Sequence, residues 1–203
     1  MVDEIVQLEW DFFQQVHHID GRASCQDDFE TFYLQRKSQF EAFYQNVQKA
    51  CLQDLKLAQQ IGRNPVMEKY AYMMENTDPE YFNTIRDQLP AVDQQKKDFI
   101  NALCDIEVSM REDMNDQYPY LLSQARFTHS LEDEKDDTSF ETYLRGELMT
   151  YSDETLYLYG QMVLDMVQKN ENLIEKILMN TVKAYGYASL EDANKFIMDS
   201  EKK

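Results

Sequence analysis

Phe29-Glu30-Thr31-Phe32-Tyr33-Leu34-Gln35-Arg36-Lys37-Ser38-Gln39-Phe40-Glu41-Ala42-Phe43-Tyr44 decides the fold class. Phe29, Tyr33, Arg36, Phe40, Tyr44, Val47, Cys51, Leu55 and Ala58 step by threes and fours for about thirty residues. That spacing keeps one face of a helix against a core, and Gly62 follows where a helix commonly ends in a left-handed residue. The spacing therefore predicts one long helix, its stripe interrupted only by Arg36.

Working outward, Ile5, Leu8, Phe12 and Val16 mark a first helix that ends near His17-His18 and Gly21. Asn64 with Pro65 opens a third, through Tyr70 and Met74, because Asn caps and proline's missing N–H is harmless at the first position. A short fourth runs from Thr77-Asp78-Pro79-Glu80 to Leu89-Pro90. A fifth begins near Asp93 with Phe99, Leu103, Ile106, Met110 and Met114 inward. No period holds from Tyr118 to Asp137. A sixth helix then carries Phe140, Leu144, Leu148 and Tyr151, and Ser152 caps a seventh. An eighth reaches Gly186, and Ser189-x-x-Asp192 starts a last short one. No β-period persists, so the expectation is an all-α bundle of about eight to nine helices in one domain, residues 1–203.

Composition narrows the function. Five glycines and four prolines among 203 residues favour long helices over a turn-rich sheet fold. A formal charge of −18, from 38 acidic and 20 basic residues, argues against a nucleic-acid partner, which needs a basic face. Apolar runs stop at five residues, so no membrane span is expected. Met1-Val2-Asp3-Glu4-Ile5 has neither the positive n-region nor the apolar h-region of a signal peptide. Cys25, Cys51 and Cys104 are odd in number and far apart. They read as free thiols of a cytoplasmic protein, with neither a disulfide framework nor a zinc site.

The opening tetrapeptide has an echo: Phe29-Glu30-Thr31-Phe32 returns as Phe140-Glu141-Thr142-Tyr143, and Asn64…Glu68-Lys69 as Asn172…Glu175-Lys176. An internally duplicated helical unit is expected, with pseudo-repeats at about 22–90 and 130–200 and a site where the halves meet. Asp27-x-x-Glu30 and Thr138-x-x-Glu141 both match a capping box, which would explain the echo structurally. The functional alternative gives Arg22, Asp28, Arg36 and Arg145 to an anionic ligand, since guanidinium suits carboxylate and phosphate. Glu30, Glu141 and Glu147 would position those arginines or act as acid or base.

Arg36 needs an acid such as Glu141 or Glu147, or a ligand, as an unpaired charge on an apolar stripe is costly. Cys25, in a loop before a helix, is a nucleophile candidate with His17 or His18 as base, or else a plain buried thiol. No histidine follows a glutamate by three, so a di-iron bundle is not expected. Asp27, Asp28, Asp136 and Asp137 could hold a hard cation, but Asp-Asp pairs are common caps, and no metal is assigned. No cofactor motif occurs.

Gly21-Arg22-Ala23-Ser24-Cys25-Gln26-Asp27-Asp28 and Ser139-Phe140-Glu141-Thr142-Tyr143-Leu144-Arg145-Gly146-Glu147-Leu148 resemble the motifs of an uncharacterised bacterial family of unknown function. The likeness extends to Glu75-Asn76-Thr77-Asp78-Pro79 and Tyr185-Gly186-Tyr187, over nearly the whole chain. It implies no activity, substrate or cofactor. Two functions remain open at this level. One is a cytoplasmic protein binding a small anionic metabolite in a polar pocket between its halves, with or without catalysis. The other is an acidic module that docks a basic protein.

Overall fold

The computed structural model describes residues 1–16, 21–134 and 137–201, so the expectations placed on His17, His18 and Asp136 fall outside the described residues. Eleven α-helices and no strand occur among the described residues, two helices more than the periodicity suggests. The first half holds α1 (Val2–Phe13), α2 (Phe29–Ala42), α3 (Gln45–Ile61), α4 (Pro65–Thr77) and α5 (Pro79–Ile85). The second holds α6 (Gln94–Gln117), α7 (Pro119–Leu122), α8 (Phe140–Thr150), α9 (Asp153–Gln168), α10 (Leu173–Ala184) and α11 (Leu190–Glu201).

One additional helix comes from a break in the opening stripe. Phe43 and Tyr44 are extended, so α2 ends and α3 begins without glycine or proline to announce it. Tertiary contacts outweigh the helical period here. Phe43 turns into the core against Phe40 and Tyr159, with ring centroids 5.4 and 5.3 Å away. The Gln48 amide donates to the freed carbonyls of Phe40 and Phe43 at 2.8 and 2.9 Å. The other is α7, a single turn started by Pro119 inside the segment that shows no period.

The caps also sit one residue later than the motif reading has them. Asp28 accepts from the Thr31 N–H and Ser139 from the Thr142 N–H, at 3.0 and 3.2 Å. Glu30 and Glu141 are thus second in their helices, one position short of the back-reach that a capping box requires. Neither box forms.

Packing alternates between the halves: α2 lies against α10, α4 against α8, and α3 against α9. Around this middle, α1 packs on α2, α3 and α4, and α6 packs on α8, α9 and α10. The two outer helices are tied down alike. Asn64, the cap of α4, donates to the Phe12 carbonyl at 2.8 Å, and Asn172, the cap of α10, donates to the Met110 carbonyl at 2.8 Å. The α4–α8 crossing is close because Gly146 has no side chain. A Cβ there would stand 2.9 Å from the Lys69 carbonyl oxygen. One continuous hydrophobic core joins the halves, and its buried face on α6 repeats at Ile100, Leu103, Cys104, Glu107, Met110, Arg111 and Met114.

Candidate functional site

Two of those α6 positions are charged, and with Arg36 of α2 and Glu147 of α8 they frame the polar interior. Arg36 is buried and uses every N–H it has. Nε and Nη2 donate to the two Glu9 oxygens at 2.7 and 2.6 Å, and Nη1 and Nη2 to those of Glu147 at 3.0 and 3.1 Å. The fifth goes from Nη1 to Gln39 Oε1 at 2.6 Å. Five donors and five bonds leave none for a ligand.

Lys69 of α4 completes this cluster, its Nζ 2.7 Å from the Tyr143 hydroxyl and 3.4 Å from Glu147. Burial alone would raise the Glu147 pKa, but Arg36 and Lys69 hold its carboxyl down to about 2. Burial opposes the charge on Lys69, yet Tyr143 and Glu147 keep its ammonium above the usual lysine range. Two cations and two carboxylates thus cancel inside the bundle. Breaking such a set costs more than its existence contributes, because a partner is left charged and dry.

The remaining expected residues divide into local groups. Arg145 donates to Glu141 at 2.5 Å and to Asn101 at 3.1 Å near the surface. Glu141 also accepts the Ser130 N–H at 2.8 Å. Arg22 binds Asp27 and the Gln26 carbonyl at 2.8 and 2.7 Å, as well as the Gln14 side chain. Buried Gln26 donates to the Phe13 and Val16 carbonyls, so this loop closes the end of α1. Asp28 is the cap of α2, Glu30 is exposed on its first turn, and Cys25 is exposed in the same loop. Arg36 and Glu147 are the pair that the fold brings together from opposite halves. Arg22, Asp28, Glu30 and Cys25 lie with each other, in another place. Among the described residues no group of three or more His, Cys, Asp or Glu has the geometry to hold a metal ion.

Beside the Arg36 cluster lies a cavity of about 670 Å³, between α2, α6, α8, α10, α11 and the segment after α7. Its volume is in the range of small-molecule sites. Two residues that sequence reading passed over set its chemistry. Glu107 is buried and accepts the Tyr159 hydroxyl at 2.7 Å, and no cation of the described residues forms a salt bridge with it. Burial pushes its pKa up to about 8, against the pull of Tyr159 and helped by the charge of Glu147. Glu107 therefore carries its proton at neutral pH.

Arg111 is one turn further along α6 and only 6 % exposed. Its Nε reaches Thr128 Oγ1 at 3.3 Å, Nη2 donates to the Arg126 carbonyl at 2.6 Å, and the guanidinium lies 4.9 Å from the Phe140 ring centroid. Burial first, and the nearby Arg126 charge second, pull its pKa down to about 10, so it remains a cation. No carboxylate of the described residues pairs with Arg111 or with Arg126, and Arg111 Nη1 makes no hydrogen bond to them. Since no fully enclosed side-chain nitrogen lacks a partner, that Nη1 has its open side on the cavity it lines.

The signal for both residues was the one that exposed Arg36. Leu103, Glu107 and Arg111 follow at intervals of four on the buried stripe of α6, so two charges sit where apolar side chains belong.

Fold and site together define an all-α protein with a largely apolar cavity and, on its wall, a buried cation that no carboxylate of the described residues compensates. The chain belongs to a family described as a protein of unknown function (DUF4125), whose model matches residues 1–195. No curated protein and no solved structure matches it. No helix of the described residues is long and apolar enough to cross a membrane.

Proposed function

We propose that this protein binds a small anionic metabolite in the cavity between its halves, and that Arg111, backed by Arg126, receives the charge. The observation that carries this reading is the buried Arg111 guanidinium, which lines the cavity and has no counter-charge among the described residues. A buried guanidinium with no counter-charge carries a desolvation cost that its bonds to Thr128 and the Arg126 carbonyl and its contact with the Phe140 ring offset only in part. An anion in the cavity would supply the difference. Arg36 and Glu147 form part of the cavity wall and hold its shape, while Arg145 and Glu141 brace α8 from the outside. The protein works in the cytoplasm on this reading.

The internal duplication belongs to the same proposal. With α1–α4 as one copy and α6, α8, α9 and α10 as the other, Asn64 corresponds to Asn172 and Phe12 to Met110 through their matching hydrogen bonds. Counting from them, Glu9 corresponds to Glu107, Phe13 to Arg111, and Tyr70 to Leu178. The eighth residues of α2 and α8 are Arg36 and Glu147. Copy one neutralises its buried glutamate with an arginine; copy two has a second carboxylate in that place, so Glu107 keeps a proton instead. Copy one fills the matching space with Phe13, 5.4 Å from Phe32 and 6.1 Å from Tyr70 between ring centroids. Copy two has Arg111 and open volume. Asymmetry between copies is the mark of a site gained in one of them.

Thermal melts with and without inorganic phosphate, succinate or octanoate test the reading. An anion that binds only the native state raises the melting temperature with its concentration. Arg111→Met should abolish that rise and leave the unliganded protein no less stable, since the lone buried cation is gone. No concentration-dependent rise for any anion in the native protein rejects the pocket.

A further inference from the structure

The wall opposite Arg111 decides what kind of anion fits. Ile174, Ile177, Leu178 and Val182 come from α10 and Ala193 and Ile197 from α11, all onto one cavity. They present aliphatic surface with no charge on it. An inorganic ion or a compact dicarboxylate held at Arg111 would leave this wall in contact with water. The polar end is equally selective. One Nη1 is unpaired, and four residues away on the same face of α6 the Glu107 carboxyl has an oxygen, Oε2, with no hydrogen bond to the described residues. Residues spaced by four on a helix are neighbours. Both residues line the cavity, so the Arg111 N–H and the Glu107 carboxylic acid O–H are two donors open to an anion inside it.

We infer that the cavity takes an amphipathic monoanion, a medium-length aliphatic carboxylate whose head group meets Arg111 and Glu107 and whose chain lies along α10 and α11. This rests on the anion-pocket reading and goes further than it by naming the ligand class. The overall charge of −18 does not oppose it, since exposed charges beyond about 10 Å are screened at physiological salt. Arg126 stands at the same wall, its guanidinium 4.8 Å from the Tyr143 ring centroid and donating to the Thr138 carbonyl at 2.9 Å. It adds positive potential where the head group enters.

Calorimetric titration with hexanoate, octanoate and decanoate, set beside succinate and inorganic phosphate, tests the class. Burying a methylene is worth about 0.8 kcal/mol, so each one added should tighten binding about fourfold, and hexanoate to decanoate should differ by more than a hundredfold. Arg111→Met should weaken decanoate at least tenfold. Leu178→Tyr, which installs the side chain that copy one carries at Tyr70, should block the chain while phosphate, if it binds, still does.

If succinate or phosphate binds as tightly as decanoate and depends on Arg111, the aliphatic assignment is overturned and the anion pocket stands. Decanoate binding indifferent to both substitutions is detergent-like adsorption and overturns the inference. If no anion binds, the pocket reading fails first. Circular dichroism melts confirm that each variant is folded, and should Arg111→Met not fold, Leu178→Tyr and the chain-length series decide alone.

Discussion

Replacing Arg36 by Met keeps the length of the side chain and removes all five of its N–H donors. Glu147 would retain Lys69 at 3.4 Å and the Gln39 amide at 3.0 Å. Glu9 would retain nothing charged, because Arg36 is its one cationic partner among the described residues and its carboxylate is buried. Removing one member of a buried pair costs about 3–5 kcal/mol. Against a total stability of about 5–15 kcal/mol this is a large share. For a chain of this size it corresponds to a fall of about 6–20 °C in melting temperature.

Urea and thermal unfolding of Arg36→Met should show that loss, and Arg36→Met combined with Glu9→Gln should recover most of it by removing the stranded charge. Arg22→Met, an exposed control, should change stability by less than about 1 kcal/mol. A loss below about 1 kcal/mol for Arg36→Met, or a double variant no more stable than the single one, would refute the claim that this cluster is dry and mutually neutralised.

Glu107 has a folded pKa of about 8, above its ordinary 4.5, so the native state binds a proton that the unfolded chain releases. The stability this contributes is full below about pH 4.5 and is lost as pH rises to about 8. Relative to the wild type, Glu107→Gln should therefore gain stability steadily across that window, and parallel stability–pH curves would contradict a protonated Glu107. Native thiol labelling should modify exposed Cys25 first. Cys51 and Cys104 are buried, and burial pushes the Cys104 thiol up to about 12, so equal labelling rates would disprove their seclusion.

The sequence by itself determined most of the helices and several of their caps. Asn64-Pro65, Asp93, Ser152 and Asn172 each head a helix because a side-chain oxygen and a local N–H are all that the start requires. Arg36 could be read as paired or pocket-facing for a similarly local reason, since its charge interrupts an apolar period. Its partners could not be chosen that way. Glu147 lies 111 residues on, and only the crossing of α2, α8 and α1 puts it and Glu9 at the same guanidinium. Tertiary packing likewise decided the break at Phe43-Tyr44, where a ring against Tyr159 outweighed an unbroken helical period. It decided as well which buried cation has no carboxylate partner among the described residues. Arg36 and Arg111 interrupt their stripes in the same way and line the same cavity, yet the donors of one are saturated while the other keeps a nitrogen without a hydrogen bond to the described residues. Charge and periodicity are properties of a segment, but neutralisation depends on what the opposite helices carry, and that exists only once they are packed.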